Sequence, residues 1–280
     1  VRFDGMRIAL DCANGSASVC AKEIFTSLGA KCIMLSDTPD GTNINDHCGS
    51  THPEELMSFV KDAGLDLGLA FDGDADRMLA VDENGELVDG DKVIAICSKK
   101  MKADGKLKKN TAVVTVMSNM GFFKFCEDND ISCVKTAVGD RYVLERMLAD
   151  GYNIGGEQSG HVIFLDYATT GDGELSGVKL IETVVKSGKK LSELASDMTV
   201  YPQVLINVKV SAEGKKKYNN DEYIIAAVQK AEMELMGYGR VLVRVSGTEP
   251  LVRVMLEGKD IEHIKKLGED IARVVKERLS

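Results

Sequence analysis

Apolar residues in this chain fall into short runs separated by stretches of helical spacing, and the alternation restarts part-way along. The run at 6–13 predicts a buried strand, followed by a small-residue turn and a helical pattern through Leu28. A strand at 31–35, a helix opening at Pro53 and an apolar strand at 65–71 ending at Asp72 come next. Pro53 followed by Glu54 and Glu55 suits a helix start, where proline's missing N–H is harmless and carboxylates meet the positive end of the dipole. Met78–Asp82 reads as a further strand closed by an Asn84-Gly85 turn of the hairpin type.

The lysine-rich stretch 99–110 is polar between two apolar patterns and reads as a domain boundary. Beyond it the spacing predicts strand 112–116, a helix from about 119, strand 131–135, helix 140–149, strand 153–155 and a glycine-rich loop. Helices at 172–186 and 191–197 lead to a junction at Pro202. Then come strand 203–210, helix 221–236, strand 240–245, a turn at 246–250, strand 251–257 and helix 260–279. The expected fold is α/β: two consecutive α/β domains with mainly parallel mixed sheets (1–104 and 105–201), then a small α+β domain with an antiparallel sheet (202–280).

A length of 280 residues with 44% hydrophobic and 28% charged content fits soluble globular domains. The net charge of -9 argues against nucleic-acid and anionic-membrane partners, so a phosphorylated ligand must be gripped by local arginines. No apolar run approaches the roughly 20 residues of a membrane span and no signal peptide is evident, so a cytoplasmic location is expected. Seven cysteines without a C-x-x-C pair read as reduced, packed thiols. Cys48 with His47 and His52 lacks a fourth zinc ligand nearby.

Three segments carry chemistry. Asp72, Asp74 and Asp76 alternate after an apolar strand, where a curling loop can turn three carboxylates onto one Mg²⁺ and leave coordination places for phosphate oxygens. An EF-hand is the rival, but Arg77 stands where its sharp turn needs glycine; a solvated acidic turn is the blander alternative. Arg77 is the nearby counter-charge for a phosphoryl oxygen. Gly155-Gly156-Glu157-Gln158-Ser159-Gly160-His161 places a carboxylate, a hydroxyl and an imidazole among glycines that let a ligand approach the backbone. Glu157 and Ser159 suit adjacent sugar hydroxyls and His161 suits proton exchange, although spacing alone equally fits a glycine-rich turn. Arg244, Ser246, Gly247, Thr248 and Arg253 surround a tight turn whose N–H groups and hydroxyls suit an anion, with a plain hairpin turn as the alternative.

In this order the three segments resemble the α-D-phosphohexomutases, over nearly the whole chain and as the second, third and fourth of four domains. The resemblance implies that Asp72, Asp74 and Asp76 bind Mg²⁺, that Glu157 and Ser159 hold sugar hydroxyls with His161 near the reacting centre, and that Arg244 to Thr248 with Arg253 hold the phosphate not being transferred. It also implies that Thr136–Arg141 orients the phosphosugar, with Asp140 capping a helix and Arg141 reaching phosphate; a surface ion pair is an equal reading of Arg141. Asn43–Asn45, Cys48–Glu54 and Thr169–Gly173 resemble the branch that acts on phosphorylated hexosamines. The implied reaction exchanges 6-phosphate for 1-phosphate through a bisphosphate; mannose or glucose phosphates, or binding without catalysis, stay open. The family's phosphoserine loop, of Thr-Ala-Ser-His-Asn type, does not occur in these 280 residues. The expectation is therefore a truncated chain, inactive alone, whose missing partner is the N-terminal serine domain; a homodimer is also open.

Overall fold

The computed structural model describes every residue except Gly247 and Thr248, with Asn219 described by its backbone alone. It divides into two compact units, Val1–Thr199 and Val200–Ser280.

In the first unit, β1 (Arg7–Asp11), α1 (Ala17–Ser27), β2 (Lys31–Leu35), α2 (Glu54–Asp62), β3 (Leu67–Phe71), β4 (Met78–Asp82) and β5 (Leu87–Val88) build a sheet of order β2-β1-β3-β4-β5. The β1 strand runs parallel to β2 and β3, whereas β4 and β5 are antiparallel additions. Helix α3 (Gly90–Ala103) then precedes β6 (Thr111–Thr115), α4 (Met120–Asp128), β7 (Ser132–Thr136), α5 (Asp140–Asp150), β8 (Ile154–Gly156) and β9 (Val162–Phe164). These four strands form a second sheet, β7-β6-β8-β9, with β6 parallel to β7 and β8 and with β9 antiparallel. Helices α6 (Gly173–Ser187) and α7 (Leu191–Ala195) complete the unit.

The two sheets repeat one plan. A central strand takes a parallel neighbour on each side, and the third strand turns back through a short loop into an antiparallel fourth. Asp72–Arg77 is that loop in the first sheet and Glu157–His161 is its counterpart in the second. Both candidate ligand loops therefore leave the carboxyl end of a parallel strand, where ligand sites of α/β sheets gather.

Strands β3, β4 and β6 are buried at every residue, as expected for strands with both faces covered. Alternation sorts their side chains: Ile8, Leu10, Leu67, Leu69, Ala112 and Val114 enter one large core that also holds residues of α1, α3, α4 and α6. Ala9 and Ala70 face α2 on the reverse side of the first sheet, and Val113 faces α5 on the reverse side of the second. One shared core thus runs from Phe3 to Met198, across the boundary expected near 104. Helix α3 accounts for this. Asp89 caps it by accepting from Lys92 N at 3.0 Å, its residues Val93–Cys97 are buried, and its last turn carries Lys100 and Lys102 of the polar stretch.

The second unit comprises β10 (Gln203–Lys209), α8 (Ala212–Lys217), α9 (Glu222–Glu234), β11 (Gly239–Val245), β12 (Leu251–Gly258) and α10 (Ile261–Leu279). Its antiparallel sheet has the order β10-β12-β11, and Val252, Val254 and Leu256 on the central strand pack with Ile264, Ile271 and Val275 of α10. Asp221 and Asp260 cap α9 and α10 through backbone N–H groups.

Candidate functional site

Each side chain of the first loop is placed by backbone contacts. Asp72 follows the buried β3 strand and its Oδ1 accepts from Arg77 N at 3.1 Å, which closes the loop on itself. Ala75 takes a left-handed φ of 59°, and its N–H donates to Asp72 O at 3.1 Å. Carboxylate oxygens of Asp72, Asp74 and Asp76 lie within 4.8 Å of one another, the one such group of metal-ligating residues among the described residues. His47, Cys48 and His52 do not gather in this way. Arg77 flanks the acids without closing on either, with Nε 3.8 Å from Asp72 Oδ2 and 3.7 Å from Asp76 Oδ1. Burial, reinforced by the charges of Asp76 and Asp74, pushes the Asp72 carboxyl up to about 6. Three hard oxygen donors, crowded and incompletely neutralised, fit a divalent cation.

Behind the loop stands a layer that the sequence reading did not assign. Asp11, buried at the end of β1, accepts from Ala13 N at 3.0 Å and Gly49 N at 2.8 Å. That grip sets the turn from which Ser16 N donates to Gly73 O at 2.9 Å. Gly15 is required there, since a Cβ would stand 2.2 Å from Gly73 O. A buried aspartate at a strand end beside small residues is the sequence signal that could have pointed to it. The segment Thr169–Gly173, used only as a family likeness, also serves the site: Gly173 N donates to Ala75 O at 2.9 Å and Asp172 caps α6.

The second loop is tied to the first. Gly160 O accepts from Met78 N at 3.1 Å, and Gln158 O accepts from Gly90 N at 3.0 Å at the start of α3. Glu157 is half-buried, its Oε1 accepting from Gly139 N at 3.0 Å, while Ser159 is exposed. His161 is brought to the acids: its Nδ1 lies 3.1 Å from Asp76 Oδ2 and its Nε2 accepts from Gly171 N at 3.0 Å. Both ring nitrogens of His161 are engaged, and 3% of its side chain is exposed.

Asp140 lies 4.0 Å from His161 Nε2 in the first turn of α5, but it does not cap that helix: the capping position is Gly139, at φ 128°. Arg141 is paired with Glu145 at 2.7 Å on an 80% exposed side chain.

In the second unit, Arg244 on β11 stands directly opposite Arg253 on β12. Burial, with the Arg253 charge beside it, lowers the Arg244 pKa. Arg253 donates to Glu249 Oε2 at 3.0 Å, yet its buried Nε has no hydrogen-bond partner among the described residues. Ser246 is buried and its Oγ accepts from Glu249 N at 3.3 Å. Gly247 and Thr248 lie outside the described residues. Two arginines opposite each other in the sheet are a pairing that a bound anion would relieve.

Comparison with known proteins defines the class first. Family models described as phosphoglucomutase/phosphomannomutase alpha/beta/alpha domain II, alpha/beta/alpha domain III and C-terminal domain match residues 1–85, 89–201 and 205–274, and the chain belongs to this phosphohexomutase family. Among individual relatives, it is 56% identical to the phosphoglucosamine mutase of Brevibacillus brevis and 55% identical to that of Clostridium novyi, over 99% of its own length in each case. It spans 62% of the length of each of these relatives. Two solved structures share the fold at a TM-score of 0.80 and 21% identity. One is a phosphoglucomutase/phosphomannomutase family protein of Burkholderia thailandensis, covering 98% of this chain and 60% of that one. The other is Aspergillus fumigatus N-acetylphosphoglucosamine mutase in complex with GlcNAc-6P and magnesium, covering 99% of this chain and 62% of that one.

Proposed function

We propose that this chain supplies the cation, sugar and phosphate loops of a cytoplasmic phosphoglucosamine mutase, which interconverts glucosamine 6-phosphate and glucosamine 1-phosphate through a bisphosphate. The observation that carries the reading is the joining of the two loops by the Met78–Gly160 and Asp76–His161 hydrogen bonds, which sets a triad of carboxylates beside a polar loop suited to a sugar. The names of the relatives at 56% and 55% identity support an amino sugar as substrate.

Asp72, Asp74 and Asp76 would hold Mg²⁺, which when bound neutralises charge on the transferring phosphoryl group. Arg77 adds a guanidinium at the rim of the same loop, free to turn toward a phosphoryl oxygen because neither carboxylate holds it closely. Glu157, steadied by Gly139 N–H, keeps one carboxylate oxygen for sugar hydroxyls, and Ser159 adds a hydroxyl. The reaction needs a clamp that accepts the sugar in either orientation, and a carboxylate beside a hydroxyl meets that need because both groups bind vicinal hydroxyls without regard to direction. Arg244, Ser246 and Arg253 would hold a phosphate group of the substrate. The phosphoserine donor of the family is assigned to a domain outside these 280 residues.

Phosphorus NMR of the chain with glucosamine 6-phosphate and Mg²⁺ tests this reading. The expected result is saturable broadening of the 6-phosphate resonance, weaker with mannose 6-phosphate, and no 1-phosphate signal from this chain alone. A spectrum unmoved by the protein would overturn the assignment, and equal broadening by both sugars would favour a mutase of broader specificity.

A further inference from the structure

We infer that Gln158 is a positioning residue: its amide and its carbonyl fasten the tip of the sugar loop to the start of α3, so that Glu157 and Ser159 on either side of it are presented in fixed places. The inference rests on the sugar-loop reading proposed above. Gln158 Nε2 donates to Asp89 Oδ2 at 3.1 Å, and Gln158 O accepts from Gly90 N at 3.0 Å. An ionised carboxylate only accepts, so the amide faces Asp89 with its nitrogen. The other oxygen of Asp89 accepts from Lys92 N at 3.0 Å and caps α3. One carboxylate thereby fixes both the first turn of a helix and the tip of a loop distant in sequence.

The backbone bond has its own cause. Gly90 is the first residue of α3, where an amide has no partner within the helix, and Gln158 O supplies one. The close approach requires glycine: a Cβ at Gly90 would stand 2.2 Å from Glu157 O, 2.7 Å from Gly160 N and 3.0 Å from Gln158 O. The helix start is thus seated in the curve of the loop, and it is itself held. Asp91, fully buried, accepts through Oδ2 from Asn119 N at 2.7 Å, and Val93–Cys97 lie in the shared core. Within the loop, Glu157 N donates to His161 O and Gly160 N to Glu157 O, each at 3.0 Å, which leaves Gln158 and Ser159 at the tip of a tight turn. Those two bonds close the base of the turn; the bonds to Asp89 and Gly90 keep its tip from pivoting. A ligand that meets an ordered loop is spared the cost of ordering it.

Exchanging donor and acceptor separates positioning from direct contact with the sugar. Gln158→Glu sets a second carboxylate against Asp89 and is expected to weaken binding of glucosamine 6-phosphate to the 280-residue chain by about tenfold or more, the scale of a lost hydrogen bond to a charged group. Asp89→Asn alone keeps an oxygen for Lys92 N and lets the Gln158 amide turn over, so its affinity is expected within about threefold of wild type. The double variant restores a complementary pair with the roles reversed and is expected to recover to within about threefold of wild type. Phosphorus NMR titration reads these affinities. Mn²⁺ uptake, followed by electron paramagnetic resonance, and binding of inorganic phosphate should each stay within about threefold in all three variants. A Gln158→Glu defect that Asp89→Asn does not rescue would mean that Gln158 acts on the sugar directly and would overturn the inference. An undiminished Gln158→Glu variant would overturn it too, as would Mn²⁺ and phosphate binding that fall in parallel, the mark of a general folding defect. A wild-type chain that does not bind glucosamine 6-phosphate would overturn the sugar-loop reading as well. Hydrogen exchange gives a readout that needs no variant: the Gly90 amide, ordinarily open in the first turn of a helix, is expected to be protected, and free exchange there would overturn the inference.

Discussion

Asp72 leaves β3 with 8% of its surface exposed, and burial lifts its carboxyl from the ordinary 3.8 to about 6, with Asp76 and Asp74 adding to the rise. A folded-state value above the unfolded one gives a contribution to stability that is fully present below pH 3.8 and lost as pH rises through about 6. At neutral pH without a divalent cation, the ionised Asp72 is therefore a liability that the fold tolerates. Asp72→Asn is expected to raise the cation-free melting temperature at neutral pH by the equivalent of about 1–3 kcal/mol, with the gain disappearing in acid. Adding Mg²⁺ should reverse the ranking, since the wild type gains a ligand and the variant has lost one. Thermal melts across pH, with and without the ion, read both effects; a variant less stable than wild type at neutral pH without the ion would refute the account.

The β11–β12 hairpin shows the same economy in another element. Direct opposition of Arg244 and Arg253 is unfavourable in a sheet, and the buried Arg253 Nε adds a donor unsatisfied among the described residues. Arg253→Ala should weaken binding of inorganic phosphate by about tenfold or more, the scale of a lost charge-assisted bond, while leaving the melting temperature unchanged or higher. Calorimetric titration tests it, and unchanged affinity would remove Arg253 from the site. Much of this was legible in the chain. The ends of β3 at Phe71, β8 at Gly156 and β11 at Val245 and the helix opening after Pro53 are all written in apolar runs bounded by turn residues. What stayed hidden depends on partners distant in sequence. The three residues of β9 are wholly buried and show no alternation, and the Ala-Glu-Gly-Lys-Lys-Lys of α8 has no apolar periodicity. Only in the fold does Gly214 pack against the Leu279 backbone, where a Cβ would meet Leu279 O at 2.1 Å. Nor does anything local foretell that Gly171 and Asp76 will lie against the two ring nitrogens of His161.

The two compact units have separate cores, one from Phe3 to Met198 and one from Val208 to Leu279, with no residue in common. Each unit also carries its own ligand chemistry, hard oxygen donors in the first and guanidinium groups in the second. Linkage then makes a specific demand. A ligand at about 100 times its dissociation constant stabilises the unit that binds it by about 2.7 kcal/mol and leaves an independently unfolding unit unmoved. Differential scanning calorimetry should resolve two transitions. A divalent cation should raise only the one belonging to Val1–Thr199, by about 5–10 °C for a unit of this size, and inorganic phosphate only the other. Asp72→Asn should abolish the first shift and spare the second, and Arg253→Ala should do the converse. A single transition moved by both ligands would mean that the units unfold as one cooperative body, and the separation of their cores would then not extend to their energetics.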